Sequence, residues 1–266
     1  MRNYFLLTLI LFSSFSITAQ KIIITNLEVD KLNSPHGLDN KNPKFSWIID
    51  SDQYNVLQTH YQVFVATDKV FSKNSLVWDS GKVASEESVY VNYLGKELNY
   101  DTQYFWTVKV WTNKSKRLSQ SKISSWKTGL MENQNWKSNW ITVNNQDTTS
   151  PKIPYFINDF RVDSKIISAN LYITSRGVYE AHINGKKIGD AILTPGWTSY
   201  ANRIQYQAYD VMEMLFTGEN RIGVMLADGW YRNFRQNRKN RIVDYGKRTS
   251  FISELIISYE DGRKES

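Results

Sequence analysis

The side chains of this chain that can do chemistry are mainly aromatic and cationic. The sequence holds 9 Trp and 16 Tyr, and its Lys and Arg outnumber its Asp and Glu by 33 to 26. Cys is absent, which excludes disulfides, thiolate metal sites and a Cys nucleophile. His36, His60 and His182 show no i, i+4 pairing, so we expect no metal site built on histidines.

Four of the aromatic residues lie in glycine-rich, loop-like stretches of the second half of the chain: Trp197, Tyr200, Trp230 and Tyr231. Indole and phenol rings at the rim of a β-sandwich can stack on the flat faces of sugar rings. The same rings also fill cores and face neighbouring domains, and both interpretations stay open. Asp190, which follows a glycine in the same region, is a further candidate for a polar contact.

A basic segment over residues 232–248 contains seven cations against the single anion Asp244. The cations are Arg232, Arg235, Arg238, Lys239, Arg241, Lys247 and Arg248. A solvated loop is one interpretation. The more specific interpretation is that the segment recognises sulfate or uronate groups on a glycan, because the arginine fork binds such anions bidentately. No nucleic-acid-binding motif accompanies the segment, so we expect no nucleic acid partner.

Length and composition describe the chain that must position these side chains. Its 266 residues suit about two domains, and a hydrophobic share of 41% is enough for two cores. A net charge of +7 is moderate. The mean hydropathy of −0.48 argues against an integral membrane protein, and we expect no membrane span.

Residues 1–20 are predicted to be a secretory signal peptide. Arg2 precedes the short apolar run Tyr4–Phe12, and Ala19 supplies a small residue before the expected cleavage point. The run is too short to span a bilayer, and no Cys follows it for a lipid anchor. A buried first strand is the alternative. We therefore expect a periplasmic or secreted protein.

The remainder has the pattern of an all-β protein. Apolar residues alternate over short stretches bounded by Gly, Asn, Asp and Ser. Strands are expected within 60–65, 104–111, 166–173, 221–226 and 251–259. One helical turn is expected over Val211–Phe216 with Asp210 as its cap.

The chain divides into two predicted sandwiches. The first sandwich is expected over residues 21–130 and the second over residues 155–266. Between them, residues 131–154 are expected to form a linker that includes an opening strand at Trp136–Ile141.

The first sandwich resembles a fibronectin type III domain. Pro43–Trp47 (PKFSW) forms an early strand, and Leu98, Thr102 and Tyr104 have the spacing of a tyrosine corner. The Tyr hydroxyl is then expected to bond back to the connecting loop. These residues indicate core structure and carry no site chemistry.

The second sandwich contains motifs with a specific resemblance. Asn184-Gly185 predicts a type I′ hairpin. The motifs are YEAHING at 179–185, PGWTSY at 195–200, YQAYDV at 206–211 and DGWY at 228–231. In this order they resemble the N-terminal region of bacterial α-L-rhamnosidases of glycoside hydrolase family 78.

The resemblance implies a fibronectin-like domain followed by a jelly-roll β-sandwich, here expected to be cut short at its C-terminus. In that family the catalytic carboxylates lie in a later (α/α)₆ barrel, so no catalytic residue is assigned and the chain alone is expected to be inactive. Its expected partners are a rhamnose-containing glycan, either sulfated or uronate-bearing, and a chain that carries the barrel. A secreted carbohydrate-binding protein without hydrolase activity is the alternative.

The resemblance also implies a candidate calcium-binding site. In some relatives the second domain is a rhamnose-binding module that uses calcium, a cation that prefers oxygen ligands. Asp190 is the candidate calcium ligand here, with the loop from Trp230 to Asp244 nearby. The neighbouring Ala191 departs from the expected second polar ligand. The alternative role of Asp190 is a turn residue whose carboxylate bonds to backbone.

Overall fold

The computed structural model describes residues 22–114, 117–144, 152–232 and 245–266. The predicted signal peptide, residues 1–20, therefore lies outside the described residues. The described parts are all-β apart from two single 3₁₀ turns, Asn133–Asn135 and Met212–Met214. The expected all-β fold class with two sandwiches is confirmed. No helix in these parts is long and apolar enough to cross a membrane.

The first sandwich packs a small sheet against a larger one. Its strands are β1 (Ile22–Val29), β2 (His36–Leu38), β3 (Lys44–Ser51), β4 (Gln58–Ala66), β5 (Leu76–Asp79), β6 (Val83–Ala84), β7 (Val91–Asn92), β8 (Gln103–Thr112), β9 (Ser119–Gln120) and β10 (Ser124–Thr128). The small sheet has the order β1-β3-β7. The larger has the order β2-β10-β8-β4-β5, with β6 on β4 and β9 on β8.

An aromatic core fills the space between these two sheets. The ring of Phe45, which belongs to the small sheet, packs against two indoles. The distance between ring centroids is 4.6 Å to Trp106 and 5.5 Å to Trp126. Along β8, Tyr104, Trp106, Val108 and Val110 are all buried, as alternation along a strand with one inward face requires.

The predicted tyrosine corner is present. The Tyr104 hydroxyl accepts a hydrogen bond of 2.8 Å from the backbone N–H of Asn99. Leu98 and Tyr104 are both buried. The corner therefore fixes the chain where it enters β8, as the spacing of these residues predicted.

The second sandwich consists of two four-stranded sheets. Its strands are β11 (Tyr155–Val162), β12 (Ile166–Arg176), β13 (Val178–Ile183), β14 (Lys186–Lys187), β15 (Gln207–Asp210), β16 (Gly218–Ala227), β17 (Ser250–Tyr259) and β18 (Lys264–Glu265). The sheet orders are β11-β16-β13-β14 and β15-β12-β17-β18. Leu171, Ile183 and Leu226 are among the side chains buried between them.

The predicted Asn184-Gly185 hairpin is confirmed. These residues join β13 to β14, and Ile183 pairs directly with Lys186. Their φ angles of 51° and 79° are the positive values that a type I′ turn requires.

One local prediction was wrong, and another was right except for its length. The segment Trp136–Ile141 forms no strand, and only Ile141 makes an isolated bridge, to Phe251. The backbone N–H groups of Lys137 and Ser138 donate instead to the Glu254 carboxylate, at 3.1 and 2.9 Å. The helical turn expected over Val211–Phe216 is present as the shorter 3₁₀ turn Met212–Met214, and the Asp210 carboxylate accepts the Met212 N–H at 3.0 Å.

A buried polar joint connects the two sandwiches. Asp101 of the first sandwich accepts a 2.7 Å hydrogen bond from the hydroxyl of Tyr172 on β12. The same carboxylate pairs with Lys127 at 3.1 Å and with Lys264 of β18 at 2.8 Å. Two cations and one phenol thus satisfy a carboxylate that is almost fully buried, which limits the cost of its desolvation.

A second contact in the joint depends on a glycine. The Tyr206 hydroxyl donates to the Asp39 carboxylate and accepts the N–H of Leu130 at 2.8 Å. A Cβ at Gly129 would lie 2.0 Å from that hydroxyl oxygen. Glycine is therefore required where the end of the first sandwich meets Tyr206.

Candidate functional site

The loop between β14 and β15 carries the most exposed of the candidate aromatic residues. It is tied to β13 because the Tyr179 N–H donates to the Thr194 carbonyl at 2.8 Å and the Thr194 hydroxyl donates back to the Tyr179 carbonyl at 2.9 Å. A turn with a cis Thr194–Pro195 bond follows, closed by the Gly196 N–H on the Leu193 carbonyl at 2.9 Å. Trp197 comes directly after this turn.

An aromatic cluster forms where this loop meets the chain around β16 and β17; it comprises Trp197, Tyr200, Tyr231 and Tyr245. The Trp197 indole N–H donates to the Tyr245 hydroxyl at 3.2 Å. Trp197 is nevertheless 67% exposed, so its ring faces solvent. A tethered, exposed indole is a suitable platform for the apolar face of a sugar.

Tyr200 occupies the centre of the aromatic cluster and is only 7% exposed. Its ring packs edge-on against Tyr231 at 5.1 Å and tilted against Tyr245 at 5.0 Å. Its hydroxyl donates to the Gly196 carbonyl at 3.1 Å, and burial raises its pKa. Because neighbouring rings cover it, Tyr200 supports the cluster and offers no open face for stacking.

Tyr231 and Trp230 differ in their placement. Tyr231 is half-buried in the aromatic cluster, and its hydroxyl lies so close to Gly246 that a Cβ there would come within 2.2 Å of it. Trp230 is 40% exposed, and no ring contact joins it to the cluster within the described parts of the chain. The structure therefore brings three of the four predicted aromatic residues together and leaves Trp230 apart.

Arg232 is not placed as expected for a glycan-binding cation. It is only 4% exposed, and its Nε donates to the Asp228 carboxylate at 2.7 Å. Its charge is thus balanced locally and it stabilises the turn after β16. Of the other predicted cations, Lys247 and Arg248 are exposed, while Arg235, Arg238, Lys239 and Arg241 lie outside the described residues.

Asp190 lies exposed just after β14. Its carboxylate makes no hydrogen bond or ion pair with the described residues, so the bond to backbone expected of a turn residue is not seen. No group of three His, Cys, Asp or Glu side chains assembles anywhere in the described ranges. Calcium takes six to eight oxygen ligands. The described residues around Asp190 thus do not form a calcium donor set, and calcium stays a prediction.

Two features of this region were missed from the sequence. Tyr245 completes the aromatic cluster, and the Tyr-Gly pair at 245–246 was its only signal. The second is a cleft of about 850 Å³ between the sandwiches, lined in part by Trp136, Trp140 and Tyr200. The cleft arises from the joint between domains, which alternation within single strands cannot reveal.

The two halves of the chain match two family models. Residues 24–132 match the Rha78A-like, N-terminal immunoglobulin domain, and residues 164–266 match the α-L-rhamnosidase N-terminal domain. An α-L-rhamnosidase of Formosa agariphila is 31% identical over 290 residues, which cover 97% of this chain and 30% of the relative. The chain thus spans about 30% of the length of that relative.

Solved structures give the same result. The α-L-rhamnosidase from Dictyoglumus thermophilum matches with a TM-score of 0.80 and 34% identity, over 91% of this chain and 28% of that one. The Streptomyces avermitilis α-L-rhamnosidase complexed with L-rhamnose matches with a TM-score of 0.81 over 92% of this chain and 40% of its own. At 22% identity the latter supports the fold alone. Over residues 24–132 and 164–266, the chain belongs to the N-terminal domains of the α-L-rhamnosidase family.

Proposed function

We propose that the chain is the non-catalytic N-terminal part of an α-L-rhamnosidase-type glycoside hydrolase that degrades rhamnose-containing polysaccharide. In this proposal the aromatic cluster binds the sugar, and the predicted signal peptide directs the protein to the periplasm or the medium. The observation that carries the binding role is the exposed Trp197 ring, held in place by its hydrogen bond to Tyr245.

Two carboxylates of the second sandwich, Asp210 and Asp228, have structural partners, which is consistent with a non-catalytic role. An inverting glycosidase needs two carboxyl groups about 6.5–9.5 Å apart, one as acid and one as base. Asp228 is paired with Arg232, and Asp210 accepts the Met212 N–H. Hydrolysis of an aryl α-L-rhamnoside by the purified chain would contradict this part of the proposal.

A secreted carbohydrate-binding protein without hydrolase activity is the second candidate function. It is favoured by the same exposed indole, which needs no catalytic domain in order to bind a sugar. The basic segment extends this candidate to sulfated or uronate-bearing glycans, through cations that lie largely outside the described residues.

The experiment is a tryptophan-fluorescence titration of the purified chain with L-rhamnose, repeated with added calcium and then with chelator. A saturable change is expected, and Trp197→Ala should abolish it. Trp111→Ala is the matched control, because Trp111 lies on β8 in the first sandwich under the Lys82 ammonium. If the folded protein shows no saturable fluorescence change, the proposed binding role is overturned. If the change is lost when chelator is added, sugar binding requires calcium.

A further inference from the structure

The cleft between the sandwiches is separate from the exposed face of the aromatic cluster. It is open to solvent, with a volume of about 850 Å³. Asp39 and Glu132 line it from the first sandwich and its end, and Arg176 and Arg203 from the second. Tyr200 lines it as well and also packs against Tyr231, whereas Trp197, Tyr231 and Tyr245 are not among the lining residues.

The acidic side chains of the cleft already have partners. The Asp39 carboxylate accepts the Tyr206 hydroxyl and, at 2.8 Å, the N–H of Met131. Glu132 pairs with Lys41. The Glu132 charge is thus balanced by Lys41, whereas the Asp39 charge is stabilised only by neutral donors among the described residues.

The cleft has two arginines and one carboxylate, Asp39, that lacks a cationic partner in the described parts of the chain, so its charged groups leave a net positive charge. Neither Arg176 nor Arg203 forms an ion pair with any described residue, and both side chains are exposed. Two guanidinium groups without counter-ions in one concave site attract an anion, since low-dielectric walls concentrate the field of the charges they enclose.

Arg176 is also held in position before any ligand arrives. Its guanidinium carbon lies 4.6 Å from the centre of the Trp140 ring, and Trp140 itself lines the cleft. An arginine stacked on an indole keeps the edge of its planar fork free for two parallel hydrogen bonds to a carboxylate or sulfate. Because the stack already restricts the side chain, binding costs less side-chain entropy.

The rest of the lining suits a sugar ring. Trp136 and Tyr206 meet edge to face at 5.6 Å, and Ile252 lines the same cleft. Such a floor can pack against ring C–H groups, while the amides of Asn139 and Asn202 reach the same cleft for hydroxyl contacts. The buried Ser138 hydroxyl, which also lines the cleft, lacks a hydrogen-bond partner among the described residues.

We propose that this cleft binds the acidic unit of a saccharide, with Arg176 and Arg203 on its carboxylate or sulfate oxygens and the aromatic floor under its ring. The shared ligand chemistry is an anionic oxygen group on a sugar. The site does not rest on rhamnose binding at Trp197, so the two proposals can fail separately.

The test is calorimetric titration of the purified chain with a galacturonate tetramer, with its methyl ester, and with a sulfated galactose oligomer. The tetramer, the sulfated oligomer or both should bind, and affinity should fall steeply as salt is raised. The methyl ester should bind at least tenfold more weakly, because it lacks the charge that the guanidinium groups recognise. Binding of one acid and not the other identifies the anion.

Three arginine variants make the test specific. Arg176→Gln and Arg203→Gln should each weaken acid binding about tenfold or more, which is the effect of losing one charge-assisted contact. Arg161→Gln, on β11 outside the cleft, removes the same charge from an exposed pair with Glu219 and should change nothing. All three sites are exposed, and thermal unfolding checks that each variant is folded.

Three results would each overturn the proposal: no binding of either acid by the folded chain at low salt, equal binding of tetramer and methyl ester, or equal binding by the wild type and both cleft variants. Repeating the L-rhamnose titration on Arg176→Gln separates the two sites. Unchanged rhamnose binding beside lost acid binding is the expected pattern, and loss of both would overturn their independence.

Discussion

Tyr200 lies under two other rings and holds one hydrogen bond, so its two simplest substitutions should differ. Tyr200→Phe removes only the bond to the Gly196 carbonyl and should cost about 1 kcal/mol of unfolding free energy. Tyr200→Ala also empties the space between Tyr231 and Tyr245 and should cost about 3–5 kcal/mol. Urea unfolding followed by circular dichroism measures both, and an alanine variant as stable as the phenylalanine variant would contradict the packing role.

His36 should make the protein less stable in acid. Its Nε2 is buried without a hydrogen-bond partner in the described parts of the chain. Burial lowers the pKa of His36, and the nearby Lys127 ammonium lowers it further. The unfolded chain therefore binds a proton more readily than the folded one. The stability contributed by neutral His36 is complete above about pH 6.5 and falls as the pH drops below that value.

The measurement is urea unfolding of the wild type and of His36→Gln at pH 7.5 and pH 5.0. Carboxylates titrate in both proteins, so the difference between the two pH dependences isolates His36. The wild type should lose more stability on acidification than the variant, by at most about 2 kcal/mol, because one pKa unit corresponds to about 1.4 kcal/mol. Equal losses would show that His36 gains its proton as easily in the folded protein as in the unfolded chain.

Among the elements, the β13–β14 hairpin does more than reverse the chain. The Asn184 amide N–H group donates to the Met214 carbonyl at 2.9 Å and to the Asn220 side chain at 2.8 Å. Its side-chain oxygen accepts the Arg221 N–H at 2.9 Å. The turn residue thus fastens the hairpin to the start of β16.

Asn184→Gly separates turn geometry from these bonds, because glycine accepts the φ of 51° without steric strain but has no side chain. The variant should lose about 1–3 kcal/mol of unfolding free energy. Asn26→Gly is the matched control, since Asn26 has a φ of 47° and makes one exposed bond, to Glu28. Chemical denaturation should show little change in the control, and equal losses in both variants would contradict the fastening role.

The sequence predicted elements best where their own residues determine them. Alternation located β8 and β17, and the dipeptide Asn184-Gly185 located its turn, since both signals are local. The segment Trp136–Ile141 has a strand-like composition, but its N–H groups bond to Glu254, more than 100 residues away in sequence. The burial of Tyr200 likewise depends on Tyr231 and Tyr245, which lie more than 30 residues away, and composition carries no information on such distant pairing. The Asp228–Arg232 pair is only four residues apart, so its signal was local and was overlooked.

At the scale of the whole molecule, the joint makes the two sandwiches one mechanical unit. Asp101 and Asp39 reach from the first sandwich to the hydroxyls of Tyr172 and Tyr206 in the second. The buried side chains of Leu130, Tyr172 and Ile256 form a small third core at the same place. The position of the cleft relative to the aromatic cluster is therefore fixed, which would not be so if a flexible linker joined the sandwiches.

Gly129→Ala tests this coupling directly. The new methyl group would lie 2.0 Å from the Tyr206 hydroxyl and 2.5 Å from the Asp39 carboxylate, so one of the two must move and their hydrogen bond must break. The wild type should unfold in a single calorimetric transition. The variant should lose about 1–3 kcal/mol and show two transitions, one for each sandwich.

Gly223→Ala is the control for that experiment, because its Cβ would meet nothing closer than 3.9 Å on the open face of β16. It should keep the wild-type transition. If Gly129→Ala also unfolds in one transition at the wild-type temperature, the joint does not couple the domains. Two transitions in Gly129→Ala, together with weakened acid binding in the cleft, would show that the joint holds both walls of the cleft, since Asp39 and Arg176 lie on opposite sandwiches.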